Sequence, residues 1–231
     1  MRRYLFILLL SALVIGCGER GGQIRTGDLV FVGIPADFDA DETSMDAAIS
    51  AATGTDNPLS ITHVAIIELT RDGIWIVDAT PKRGVARRPL ETFIEDNTLE
   101  DGSLPEFVVK RVDGVDPDAA VARAKVFCGR SYDLRFFPDN EEMYCSELIQ
   151  QCYLDENGVP VFESRPMNFL ASDGTMPPYW EQLFRELGME VPQGVPGTNP
   201  QRLFESGRLT TVTNNRGFVP ATGRGHEYRP V

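Results

Sequence analysis

The chain has 231 residues, 42% hydrophobic and 24% charged, which suits one domain with a full core and excludes a disordered chain. A formal charge of −12 argues against a nucleic-acid partner and against attraction to an anionic membrane surface.

The N-terminus reads as a targeting signal. Arg2 and Arg3 precede an apolar run, Tyr4 to Ile15, too short to span a bilayer, and Val14-Ile15-Gly16-Cys17 has the pattern of a bacterial lipobox. Residues 1–16 are therefore expected to be a lipoprotein signal peptide, Cys17 the lipidated first residue, and residues 17–25 a polar tether. Losing Arg2 and Arg3 would take the charge from −12 to −14. Gly18 after the cysteine resembles the sorting pattern for an outer membrane, so the expected location is an exported lipoprotein facing the periplasm or cell surface. The alternative is a plain secretory signal or an N-terminal anchor helix.

Cys128, Cys145 and Cys152 remain, an odd number that leaves at least one thiol free; a single bridge between Cys128 and Cys152 would spare Cys145. No Cys/His spacing indicates a metal site, and nothing implies an organic cofactor.

Gly27 to Val32 reads as a turn and a buried strand. The acidic cluster Asp37 to Glu42 superficially has calcium-loop spacing, but Glu42 and Ala48 stand where such a loop needs Gly and Glu. Thr43 or Ser44 can cap a helix to about Thr53, with Met45, Ala48, Ile49 and Ala52 on one side. The strand-like runs Ile61 to Leu69 and Ile74 to Ala79 flank Thr70-Arg71-Asp72-Gly73, a hairpin signal that brings His63 and Asp78 to one end of a sheet. Their separation depends on register. A loop of Thr70 to Gly73 sets Asp78 opposite Ala65, the same-face neighbour of His63; a turn one residue earlier sets the two directly opposite. A turn centred on Asp72-Gly73 sets Asp78 opposite Ile67, about 13 Å from His63 along the strand, and breaks the pairing.

Gly84 to Arg88 can form a short strand, followed by a helix from Leu90 to about Glu95 with Leu90, Phe93 and Ile94 inward. Pro105 to Val112 reads as a strand, and Asp116-Pro117 opens a helix to about Cys128 with Ala119, Ala120, Ala124, Phe127 and Cys128 inward. After the loop Arg130 to Asn140, Leu148, Ile149 and Cys152 follow Cys145 at helical spacing, and Asn157-Gly158 is expected to end that helix. Beyond it lie helices at Pro178 to Leu187 and near Pro200 to Ser206, then a loose tail from Asn214 to Val231.

Cys145 thus falls in the first turn of a buried helix, where the dipole and unpaired N–H groups favour thiolate. A cysteine nucleophile needs a base and a group to orient that base. Of the two histidines, His226 lies in the weak tail, so His63 is the candidate base and Asp78 its partner. A strand histidine or a helix cysteine alone is ordinarily a core residue; the combination points to chemistry.

Gly27-Asp28-Leu29-Val30-Phe31, Thr62-His63-Val64-Ala65-Ile66, Val77-Asp78-Ala79 and Tyr144-Cys145-Ser146-Glu147-Leu148, in that order, resemble the permuted papain-like amidases and peptidases related to NlpC, of the YiiX/YaeF type. The resemblance spans roughly residues 26–212, taken as the catalytic domain, with residues 213–231 as the tail. It implies an α+β, circularly permuted papain-like fold, with an antiparallel sheet packed against helices that include the nucleophile helix. His63 preceding Cys145 is the order that permutation produces. The resemblance implies Cys145 as nucleophile, His63 as general base and acid, and Asp78 as the orienting residue, although relatives often carry Glu there. It also implies the Cys145 N–H in an oxyanion hole, and Tyr144 and Ser146 shaping the substrate pocket; capping is the plainer reading of Ser146 and a solvated face that of Glu147.

The expected activity is a cysteine amidase or peptidase cleaving amide bonds through an acyl-enzyme, with cell-wall peptides as substrate by family analogy. The alternatives are acyl transfer or lipid-ester hydrolysis, as in permuted relatives resembling lecithin:retinol acyltransferase, and a non-catalytic lipoprotein that binds peptides in a papain-like groove.

Overall fold

The structure, a computed structural model, describes residues 22–38, 41–53 and 58–219. In chain order it forms β1 (Leu29–Pro35), α1 (Met45–Thr53), β2 (Leu59–Thr70), β3 (Gly73–Thr80), β4 (Gly84–Pro89), α2 (Leu90–Asp96), β5 (Glu106–Val112) and α3 (Pro117–Phe127). There follow α4 (Cys145–Cys152), β6 (Arg165–Pro166), α5 (Pro178–Glu186), β7 (Pro196–Gly197), α6 (Pro200–Phe204), β8 (Leu209–Thr213) and α7 (Asn215–Phe218).

Six strands make one sheet in the order β4-β3-β2-β1-β5-β8, each neighbouring pair antiparallel; β6 and β7 form a separate two-stranded ladder. Both faces of the sheet are covered, which is why β1 and β2 read as continuous apolar runs rather than alternating ones. Leu29, Phe31, Val64, Ile66 and Val77 pack with residues of α3 and α4. Val30, Val32, Ala65, Ile67 and Ile76 lie in a second core with Leu90, Phe93 and Phe218. A third cluster, Ala48, Phe136, Tyr144, Met167, Phe169, Trp180 and Phe184, stands beside α4 and joins α1 to α5.

The hairpin closes with Thr70 facing Gly73 and Ile66 facing Val77, so the first of the three registers is realised. Gly73 opens β3 at φ 130° and leaves Arg71 and Asp72 as the loop. Where the β1–β2 pairing reaches His63 it slips: Val32 faces His63 but Gly33 faces Ile61, leaving Thr62 as an extra residue. Such a bulge bends the strand and re-aims the side chains next to it. The Ile61 N–H at the slip donates to Gln201 Oε1 at 2.9 Å, so α6 braces β2 beside His63.

Several expectations need correction. The helix that begins at Cys145 ends at Cys152, well before Asn157-Gly158; Tyr153 already has extended dihedrals, and Asp155 receives the Asn157 and Val159 N–H groups in a local turn. Cys128 is exposed rather than inward, while Val121 takes a buried place on α3. Cys128, Cys145 and Cys152 are all free. The proposed tail is structured at its start: Phe218 is buried, and Asn215 Oδ1 accepts the Phe107 N–H at 2.5 Å. Residues 1–16, Cys17 and His226 lie outside the described residues.

Candidate active site

The route into α4 is fixed by backbone and side-chain bonds before the helix begins. Met143 N–H donates to Ser131 O at 3.0 Å, and Asp133 N–H to Met143 O at 3.2 Å. The fully buried Asp133 carboxylate accepts the N–H groups of Arg135, Phe136 and Phe137 and the side-chain amide of Asn140. That clamp holds Phe136 at φ 55°, a left-handed conformation that costs free energy in a bulky residue. Phe136 in turn packs against Tyr144, Phe169 and Trp180.

Cys145 is the first residue of α4, after Tyr144 with extended N-cap dihedrals. Leu148 N–H makes a helical bond to Tyr144 O, leaving earlier N–H groups of the turn, including that of Cys145, free of helical partners. Cys145 is 4% exposed, at the edge of a cleft rather than sealed in the core.

His63 and Asp78 meet as the register requires. His63 Nε2 lies 2.8 Å from Asp78 Oδ2, and Cys145 lies close enough to His63 to raise the proton affinity of the imidazole. With Nε2 on Asp78, Nδ1 is the ring nitrogen left for the thiol. Burial alone would push the imidazole down, but its bonds to Asp78 and Cys145 and the charges of both groups push it up to about 10. Asp78 is 1% exposed, and Arg88 Nη2 donates to the same Oδ2. The three residues singled out from the sequence therefore form one connected row: thiol, imidazole, carboxylate.

Tyr144 and Ser146 both line the cleft, but their hydroxyls are engaged by the residue after β7. Thr198 N–H donates to Tyr144 Oη and Thr198 Oγ1–H to Ser146 Oγ, each at 3.0 Å. Gly197 makes this approach possible, because a Cβ there would sit 2.8 Å from Tyr144 Oη and 2.3 Å from Met167 Sδ. Glu147 is buried rather than solvated. Its carboxyl is pushed up to about 7, chiefly by burial and then by the charge of Asp133, while the Tyr144 N–H donates to it across the helix start.

The cleft beside Cys145 is open to solvent and spans about 500 Å³ of empty space, solvent included, between α1, α5 and the segments carrying Met167 to Phe169 and Thr198 to Pro200. Ile49, Tyr132, Phe136, Met167, Phe169 and Trp180 dominate its walls, and no charged side chain lines it among the described residues. Sequence reasoning missed these walls, Asp133, Arg88 and Tyr132. Tyr132 lies near enough to Cys145 for their charges to interact, and burial pushes its phenol well above its ordinary range. The sequence signals were faint: Tyr132-Asp133 in a loop without periodicity, and an arginine on a short edge strand.

A cysteine at a helix start, a histidine on an antiparallel strand and His before Cys in the chain define a circularly permuted papain-like protein. Residues 23–213 match the family described as permuted papain-like amidase enzyme, YaeF/YiiX, C92 family, and the chain belongs to it. The chain is 26% identical over 209 residues to the uncharacterized protein YiiX of Escherichia coli K12, covering 89% of this chain and 94% of that one. It is also similar to a crystal structure described as metalloprotein yiiX from Escherichia coli O157:H7, with TM-score 0.61, 25% identity, and 82% and 96% of the two chains covered. In this chain no group of three or more His, Cys, Asp or Glu side chains suited to a metal ion occurs among the described residues. At the site itself the imidazole is taken by Asp78 and the carboxylate by Arg88, a donor set that does not fit a metal.

Proposed function

We propose that this chain is a cysteine amidase that works through Cys145, His63 and Asp78. The observation that carries the reading is the Cys145 thiol beside His63, whose Nε2 meets Asp78 Oδ2, at the mouth of a cleft. Membership of an amidase family supports it independently. Cys145 passes its thiol proton to His63 and its Sγ attacks the substrate carbonyl carbon, so that a C–S bond forms and the carbonyl electron pair moves onto oxygen. The free N–H of Cys145 is placed to donate to that oxyanion. As the intermediate collapses, the C–N bond breaks and His63 gives its proton to the departing amine. His63 then takes a proton from water, whose oxygen displaces sulfur from the thioester and releases the acid. No step runs through a metal.

The lipobox ending at Cys17 supports an exported, lipid-anchored enzyme facing the cell wall, which makes peptidoglycan stem peptides one substrate class. The cleft favours a second: an uncharged acyl group, as in a fatty amide or ester. Among the described residues its walls offer no counter-charge, and burying a stem-peptide carboxylate unpaired would cost several kcal/mol. Purified protein should be assayed against cell-wall peptides and against N-acyl amides and esters of increasing chain length, with Cys145→Ser in parallel. The reading expects turnover that Cys145→Ser abolishes while leaving the fold intact; undiminished activity in that variant would overturn it. Hydrolysis only of stem peptides would remove the acyl reading.

A further inference from the structure

Asp78 poses an electrostatic problem. Its carboxylate is 1% exposed, and an ionised carboxylate at that depth is strongly destabilised without a paired charge. The imidazole of His63 supplies that charge for only part of a cycle, because it gives its proton to the leaving group.

Arg88 is the permanent cation at this place. On β4 it faces Ile76, two residues along from Ala86, the partner of Asp78, so Arg88 and Asp78 share a face of the sheet. Its side chain is 5% exposed, and its Nη2 donates to the same Asp78 Oδ2 that meets His63 Nε2. Its Nη1 donates to Asp96 Oδ2 at the end of α2. Asp96 is bound in turn by Lys82 Nζ at 2.9 Å and Arg83 Nε at 3.0 Å. The guanidinium also lies over the Phe93 ring, 5.2 Å from its centroid, and that ring is 6.2 Å from the His63 ring. Among the described residues, the titratable groups near Asp78 also include Cys145 from α4, beyond His63, and Cys128 after α3, whose thiol senses the Asp78 charge.

We infer that Arg88 is a positioning residue: a guanidinium clamped between Asp78 and Asp96 that keeps the Asp78 carboxylate paired and aimed at His63 in both charge states of the imidazole. An arginine suits the task because it does not lose its proton and its planar fork reaches two carboxylates at once. This rests on reading Cys145 and His63 as the catalytic pair.

The test follows the His63 ring by NMR across pH in the full chain, in a Cys145→Ala background that removes the thiolate. The chain has only two histidines, so His226 serves as the internal reference. In Arg88→Met the imidazolium becomes the sole cation on Asp78, and the His63 midpoint should rise by about one pH unit or more. Arg88→Lys, which keeps the charge, should restore it to within about half a unit. If Arg88→Met does not fold, Arg88→Gln keeps a donor without the charge and should show the same rise. A folded uncharged variant with an unmoved His63 midpoint would overturn the inference, because a purely structural arginine changes stability and not this titration. Failure of the catalytic reading would appear elsewhere, as an ordinary alkylation rate for Cys145 with Arg88 intact.

Discussion

His63 carries the heaviest electrostatic load in the site. Burial works against its proton, but Asp78 and Cys145 hold it and push the imidazole up to about 10 from the usual 6.5. A base whose pKa is raised in the folded state stabilises the fold fully below its unfolded pKa and loses that contribution as pH rises through the folded one. The melting temperature of the wild type should therefore fall between about pH 7 and 10 more steeply than that of His63→Gln. Parallel curves for the two proteins would contradict the ion-pair description. Asp78→Asn keeps the shape of the side chain but removes its charge and can favour the wrong tautomer. It should lower kcat/KM by about 100-fold or more once a substrate is in hand, with little change in KM.

The helix α4 is held by groups that its hydrophobic pattern does not display. Glu147 sits in the first turn, where a carboxylate is ordinarily favourable, yet burial and Asp133 raise its pKa from 4.5 to about 7. An acid raised in this way favours folding fully below about 4.5 and loses that advantage as pH climbs to 7. Glu147→Gln should match the wild type in stability near pH 4.5 and exceed it by about 2 kcal/mol at pH 8, measured by denaturant unfolding. A difference independent of pH would contradict the role assigned to burial. The start of this helix was legible in the sequence because Leu148, Ile149 and Cys152 mark its inner face from Cys145 onward. Its end was not, because Asn157-Gly158 carries the same turn chemistry whether it caps a helix or closes a loop. The β2–β3 hairpin was legible as an element, but its register was one of three. The register realised, with Thr70 facing Gly73, leaves Asp78 within reach of His63, whereas a turn centred on Asp72-Gly73 would have carried it away. The bulge at Thr62 and the buried Arg88 left no periodic trace, since one is a single inserted residue and the other a charge in a place charges seldom occupy.

Across the whole molecule, the sheet and its two covering cores place Cys145, His63 and Asp78, while a third cluster built from α1, α5 and the Pro- and Gly-rich C-terminal half makes the cleft. That half has little periodicity because it is held by aromatic contacts around Phe136, Phe169 and Trp180 and by single bonds such as Thr198 to Tyr144. Its role therefore emerges only in three dimensions. The cysteines provide the sharpest test of the assembled site. Cys152 is buried and its thiol is pushed up to about 12, and Cys128 is exposed with its thiol also raised by burial, so each is an internal control for Cys145. The decisive measurement is the rate of iodoacetamide alkylation at each cysteine as a function of pH, in the wild type and in His63→Ala. The account predicts that Cys145 reacts first and fast well below the free-thiol pKa of about 8.5, and that it slows when His63 is removed. Cys145 reacting no faster than Cys128, or at the same rate without His63, would contradict it.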